Sequence, residues 1–317
     1  MHQPSILHRA WAEIDLSALE NNVRCIQEIL PEHTDFMAVV KADAYGHGDA
    51  VICTALHKMG IRWFAVSNLE EALSVRQYCP DSEIFILGYT PPELAPELTK
   101  HHIIQGVMST EYAQELAAHA DSEPVRCHIK LDTGMSRLGF FAYDHPKTVE
   151  ELKEVAQMPK LLIEGIFMHF PVADSIDGAD ANFTHTQFER FTQMLSALKG
   201  VGIEPEIRHC CNSGATILYP EFALDMVRPG IITYGNAPSD ELEGALSLRP
   251  MMSLHSMIAQ VRTVPAGTDI SYGRLYRTKE ETRVAVLPIG YADGLSRLLT
   301  GKASFYLQGK QVPVIGR

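Results

Sequence analysis

Phe36-Met37-Ala38-Val39-Val40-Lys41 decides how the rest of the chain is read. Five apolar residues in a row fit a short buried strand. The sixth is a lysine, and Ala42-Asp43-Ala44-Tyr45-Gly46-His47-Gly48 then breaks the pattern with glycines. Upstream, Ser17-Ala18-Leu19-Glu20 has the form of a capping box, with Ser17 capping a helix and Glu20 reaching back to it. Val23, Ile26 and Leu30 fall on one face of that helix, and Pro31 ends it.

The same cycle recurs downstream. Strand-like runs stand near 63–66, 84–87, 103–107, 125–131, 161–168, 206–211 and 225–234. Helical patterns lie between them, such as Asn68 to Tyr78 and Phe183 to Leu198. With the first strand counted, eight β/α units in about 240 residues have the size and rhythm of a (β/α)8 TIM-type barrel. A doubly wound sheet has the same periodicity, but no glycine-rich dinucleotide fingerprint follows the first strand. Past residue 240 the helical patterns give way to short β-rich runs at Leu254–Val264, Val284–Ile289, Ser304–Leu307 and Val312–Ile315. Turn signals such as Pro265-Ala266-Gly267 and Gln308-Gly309-Lys310 separate them. The expected domains are a barrel over 1–240 and a mostly β domain over 241–317, with the first dozen residues packing on the β domain. The last apolar pattern is cut at Arg317, so the β domain reads as truncated at its C-terminal end.

Composition narrows the functional classes. The formal net charge is -12 over 317 residues, which disfavours nucleic-acid phosphates and anionic lipid as partners. The six cysteines, at 25, 53, 79, 127, 210 and 211, form no CxxC pair and read as reduced thiols of a cytoplasmic protein. No metal is expected. No apolar run reaches the ~18 residues of a membrane span. Met1-His2-Gln3-Pro4-Ser5 has no secretory character.

In a barrel, function collects where strands end. The expected strand ends carry Lys41, Lys130 with Arg137, His169, Asn212 with Ser213, and Arg228. Each alone reads as a solvated or paired surface residue. Together on one rim they make an anion-binding and proton-transfer site. Desolvation at a strand end favours a neutral amine, able to condense with a carbonyl. Tyr45 and the nearby glycines offer a hydroxyl and close backbone approach for a phosphate.

Val40-Lys41-Ala42-Asp43-Ala44-Tyr45-Gly46-His47-Gly48 resembles the signature of the alanine racemase family, fold-type III pyridoxal-phosphate enzymes. Further landmarks follow in that family's order: Lys130 to Gly139, Met168-His169-Phe170, Asn212-Ser213-Gly214-Ala215, Arg228-Pro229-Gly230-Ile231, Ser271-Tyr272-Gly273 and Pro288 to Gly294. The resemblance runs from about Trp11 to Arg317.

It implies an enzyme that interconverts L- and D-alanine and supplies D-alanine for peptidoglycan. Pyridoxal 5'-phosphate is the implied cofactor, and Lys41 the residue bonded to it. Lys41 and Tyr272 are the implied bases on opposite faces of the substrate Cα, as racemisation requires. Tyr272 comes from the partner subunit of a homodimer with shared active sites. Tyr45, Ser213 and the backbone N–H groups of Gly230 and Ile231 hold the phosphate, and Asn212 sits beside the cofactor. Arg228 faces the pyridine nitrogen, and His169 links Arg228 to the tyrosine. Arg137 contacts the cofactor and receives the substrate carboxylate. Tyr291 guards substrate entry, and Lys130 matches a lysine carbamylated in many relatives; unmodified, it would pair with Asp132.

Serine racemases of the vancomycin-resistance type share these motifs, so serine is the alternative substrate. A non-catalytic pyridoxal-phosphate protein resembles the lysine region but has no β domain carrying Tyr272. A fold-type III decarboxylase calls for an acidic residue where Arg228 stands, and a sugar-processing barrel leaves Lys41 and Arg228 unexplained.

Overall fold

The structure is a computed structural model, and it describes residues 9–317. The stretch Met1–Ser5 read for a leader, and the rest of 1–8, lie outside the described residues. The chain divides into two compact units, one of residues 15–251 and one of 252–317 with the preceding residues up to Ile14.

The larger unit is a closed barrel of eight parallel strands. These are β1 Asp35–Val39, β2 Trp63–Val66, β3 Glu83–Ile86, β4 Ile103–Val107, β5 Val125–Asp132, β6 Leu161–Phe167, β7 Ile207–His209 and β8 Met226–Val227. Each pairs with the next in parallel, and β8 closes on β1 with Met226 opposite Asp35 and Val227 opposite Phe36. Parallel strands are covered on both faces, so they read as continuous apolar runs. Phe36 to Val39, for example, are all buried. Met37, Val39, Ala65, Phe85, Ile104, Phe167 and Met226 form one buried cluster. β3 and β6 are not neighbours in the sheet, so the edge-to-face contact of Phe85 and Phe167, with centroids 5.1 Å apart, crosses the lumen. A barrel filled in this way is a packed core and not a channel.

The strands stand where the sequence places them, with two differences in detail. Asp15, and not Ser17, caps the first helix, Leu16–Gln27. Its carboxylate accepts the N–H groups of Ser17 at 2.8 Å and Ala18 at 3.2 Å. A carboxylate at a helix start gains from the helix dipole as well as from these bonds, so the helix begins earlier. Before Pro31 the hydrogen bonds shift to three-residue spacing, Ile29 to Ile26 and Leu30 to Gln27. The run expected at 225–234 is a strand only over Met226–Val227. Pro229 has no N–H for a ladder, and Ile231–Tyr234 turns into a short 3-10 helix.

That turn is pinned. Asn22, fully buried on the first helix, donates to the carbonyls of Thr233 at 3.2 Å and Arg249 at 2.9 Å. It also accepts from Arg249 N at 2.7 Å. The segment starting at Gly230 is therefore held from behind by a satisfied polar group.

The smaller unit is mostly β. Ala10–Ile14 pairs antiparallel with Met252–Ser256, Ala10 opposite Ser256. Gln260–Val264 pairs with Thr282–Val286, Asp269–Ile270 with Tyr276–Arg277, and Ser304–Leu307 with Lys310–Pro313. The last hairpin turns at Gln308 and Gly309, both at positive φ (51° and 77°), which matches the twist of tight antiparallel pairs.

Candidate active site

The C-terminal rim of the barrel gathers the strand-end residues. Lys41 follows β1 directly, and the chain then makes an unusual turn. Ala42, Asp43, Ala44 and Tyr45 all take left-handed backbone angles, with φ from 52° to 56°. L-residues avoid this region because Cβ crowds the next carbonyl. Asp43 secures the far end, its carboxylate accepting Asp49 N at 2.7 Å. His47 Nδ1 lies 3.0 Å from Ala44 O and 3.1 Å from Tyr45 O.

The turn carries the Tyr45 hydroxyl to Gly230. A Cβ built on Gly230 would lie 2.5 Å from that oxygen and 3.6 Å from Val39 Cβ, so only glycine leaves the space open. Gly230 N donates to Ser213 Oγ at 2.9 Å. Ser213 opens the helix Ser213–Leu218, and Asn212 is its cap, accepting Ala215 N at 3.0 Å. The Asn212 amide donates to Phe170 O at 2.9 Å, tying the ends of β6 and β7 together. Tyr45, Ser213 and Gly230 thus surround one small polar recess, and Ile231 begins the 3-10 turn beside it.

Arg228 is the electrostatic centre. It is 3% exposed, and among the described residues it has no carboxylate partner. Its guanidinium donates to Met168 O at 2.7 Å, Cys210 O at 3.0 Å and His209 Nδ1 at 2.8 Å. Burial pulls it down to about 10, so it remains a cation near neutral pH. An accepting His209 Nδ1 puts that ring's proton on Nε2, which lies 2.9 Å from His128 Nδ1. The chain from Arg228 through His209 to His128 fixes both tautomers. Burial pushes both histidines down, His128 to about 3, with the Arg228 charge adding to the effect.

His169 Nδ1 lies 3.4 Å from Arg228 Nη2. Burial, then the charges of Arg228, Lys130, Arg137 and Lys41, hold it well below the ordinary histidine range. It is a neutral imidazole among cations. Lys130 is 7% exposed and donates to Leu131 O at 2.8 Å. Lys130 forms no ion pair with Asp132, whose Oδ1 accepts Gly134 N at 2.9 Å and Ser136 N at 3.0 Å. Burial, with Arg228 nearby, pulls Lys130 down to about 7. Arg137 is exposed, on the loop that Asp132 shapes.

Tyr272 and Tyr291 belong to the smaller unit. Tyr272 is at the tip of the 269–277 hairpin, between Ser271 at φ 60° and Gly273 at φ 75°. Asp269 ties that hairpin together. It accepts Arg277 Nε at 2.7 Å and Arg274 Nε at 2.6 Å, and these bonds hold its carboxyl well below the usual range. Tyr272 is 72% exposed and Tyr291 is 59% exposed. With Arg297 and Arg317 they line a cavity of about 290 Å³. Arg297 lies over the Tyr291 ring, 5.8 Å from its centroid. Two phenols and two guanidiniums suit a small anion.

Sequence reasoning missed His128, His209, Arg297 and Arg317. The histidines are placed by contacts across the lumen, and only their inward strand parity marks them. Arg297 falls between the β-rich runs, and Arg317 was read only as the end of the last one.

The buried Arg228 on the rim of a lysine-ended (β/α)8 barrel, with a mostly β unit following, fits one class of isomerase, the amino-acid racemases. The chain belongs to the alanine racemase family. The family model described as "Alanine racemase, N-terminal domain" matches residues 14–238, and "Alanine racemase, C-terminal domain" matches 251–317. The alanine racemase of Desulfovibrio desulfuricans is 43% identical over 310 residues, which is 97% of this chain and 82% of that protein. The solved alanine racemase of Clostridium difficile 630 superposes with a TM-score of 0.91 at 36% identity, covering 99% of this chain and 81% of its own. A Bartonella henselae alanine racemase with covalently bound pyridoxal phosphate gives 0.84 at 28% identity, covering 98% and 83%.

Proposed function

We propose that the protein interconverts L- and D-alanine with pyridoxal phosphate held on Lys41, supplying D-alanine for peptidoglycan in the cytoplasm. The observation that carries this reading is Arg228, a buried cation with no carboxylate among the described residues, on one rim with Lys41 and the Tyr45–Gly230 recess.

The residues fit the cofactor. The recess beside Gly230, where a Cβ would press on the Tyr45 hydroxyl, suits a phosphate, with Ser213 Oγ, the Tyr45 hydroxyl and the N–H groups of Gly230 and Ile231 close by. Arg228, a cation near neutral pH, suits a ring nitrogen that accepts a hydrogen bond and stays unprotonated. Asn212 holds Ser213 in place at the edge of the recess. When bound, pyridoxal phosphate supplies a carbonyl that takes up an amine and a ring that spreads the electron pair left at Cα.

The protein does the rest. The Lys41 amine moves the proton on one face of the substrate Cα, and the Tyr272 phenol moves it on the other. Neutral His169 passes hydrogen bonding from Arg228 toward the tyrosine. Arg137 receives the substrate carboxylate, and the Tyr291 and Arg297 pair screens entry. In this reading two copies exchange Tyr272 and Tyr291 across a two-fold axis, and barrel and β unit act as separate domains. Lys130, pulled by burial to about 7, offers a neutral amine in part of the molecules near neutral pH; that amine would add carbon dioxide, releasing a proton to solvent, and the resulting carbamate anion would orient Arg137.

The test is direct. The purified protein is given D-alanine, L-alanine is measured, and the enzyme is then reduced with borohydride and digested. The reading requires racemisation and a phosphopyridoxyl mass on the peptide holding Lys41. Absence of either result rejects it.

A further inference from the structure

The left-handed turn after Lys41 is gripped from outside by one carboxylate. Glu71 sits in the helix Leu69–Tyr78 that follows β2. Its Oε1 accepts Ala42 N at 2.8 Å, and its Oε2 accepts both the N–H and the hydroxyl of Ser67 at 2.8 Å. Ser67 directly follows β2, and its carbonyl oxygen lies 2.4 Å from where a Cβ on Gly88 would be, so the next strand passes close against it. A second tie from the same helix, Ser74 Oγ to Asp49 Oδ2 at 2.6 Å, holds the far end of the turn. One helix therefore grips both ends of the segment from Ala42 to Asp49.

We infer that Glu71 is a positioning residue for Lys41, fixing the peptide plane that sets the direction of its side chain. The Ala42 N–H belongs to the same rigid peptide unit as the Lys41 carbonyl. Holding that N–H fixes ψ of Lys41, and with it the Cα–Cβ direction relative to β2. A lysine side chain has several soft torsions, so the backbone must aim it. Four consecutive L-residues in the left-handed region stay there only if their surroundings over-determine them. Glu71 is the carboxylate that ties this turn to the neighbouring strand. An N3 carboxylate ordinarily reaches back to its own helix start. Here one oxygen reaches across to Ala42 instead.

The inference rests on the proposed role of Lys41, so its test has an arm independent of catalysis. The holoenzyme, Glu71→Gln and Glu71→Ala are compared by hydrogen exchange of the peptide spanning 41–46. Losing a hydrogen bond to a charged acceptor should speed exchange there by about ten- to a hundredfold in the Ala variant. The Gln variant, with one acceptor oxygen left, should fall between. The barrel strands should exchange as in the wild type. In the same variants kcat should drop in that order, with KM for alanine changed by less than about threefold. Unchanged exchange at 41–46 overturns the inference. So does faster exchange spread evenly over the barrel with a matching loss of Tm, which marks a purely structural residue. A wild type that neither racemises alanine nor traps cofactor on Lys41 sinks the proposed function instead, and the exchange arm still decides whether Glu71 holds the turn.

Discussion

Replacing Lys130 with methionine should stabilise the protein at mildly acid pH and do much less at alkaline pH. Lys130 is 7% exposed, with Arg228 and Arg137 nearby and its ammonium 5.2 Å from the centre of the Phe167 ring. Burial pulls it from 10.5 to about 7, so the native state disfavours its charged form. From 10.5 to about 7 is roughly 3.5, and at about 1.36 kcal/mol for each pH unit the cost is at most roughly 5 kcal/mol. The sign follows from proton counts. Between about 7 and 10.5 the unfolded lysine is protonated and the native one largely is not. Stability therefore rises with pH across that window. The cost is complete below about 7 and gone above 10.5. The advantage of Lys130→Met should shrink by roughly 3 kcal/mol between about pH 6 and pH 9. Urea unfolding of both proteins in carbonate-free buffer at the two pH values measures it, and the difference cancels groups they share. Equal advantage at both pH values would refute the assigned burial. Bicarbonate at alkaline pH should stabilise the wild type and leave the methionine variant unmoved.

Gly230→Ala puts a methyl 2.5 Å from the Tyr45 oxygen, so pyridoxal phosphate affinity, read by fluorescence titration, should fall at least about tenfold. Asp269→Asn frees Arg274 and Arg277 and loosens the Tyr272 hairpin, so kcat should fall while cofactor affinity holds. Steady-state kinetics with a cofactor titration separate the two. A mixture of Lys41→Ala and Tyr272→Phe chains should regain activity after subunit exchange, because a hybrid pair has one intact site; a mixture as inactive as its parents contradicts shared sites.

The barrel was legible because buried parallel strands leave continuous apolar runs at regular intervals, and the rim because five of those runs carry Lys41, Lys130, His169, Asn212 and Arg228 at their expected ends. Phe36 to Lys41 carries both signals. Helix starts were less legible. Ser17 and Asp15 are both good caps, and the charge of the carboxylate at the helix start decides for Asp15. The left-handed turn at Ala42–Tyr45 has no local signature, since none of its four residues is glycine. Tertiary contacts impose it, with Glu71 on a different helix supplying one of them. His128 and His209 were invisible for the same reason, because their pairing is a lumen contact between β5 and β7, which are not adjacent. Sequence patterns report burial and periodicity along one element, and these features depend on which elements meet.

Racemisation by this site turns on two bases serving opposite faces of one carbon. Cα–deuterium exchange in heavy water, followed separately from L- and D-alanine with the wild type and Tyr272→Ala, tests this most directly. The variant should lose exchange from L-alanine and keep most of it from D-alanine, whose proton falls to Lys41. Equal loss from both enantiomers would contradict the two-base assignment.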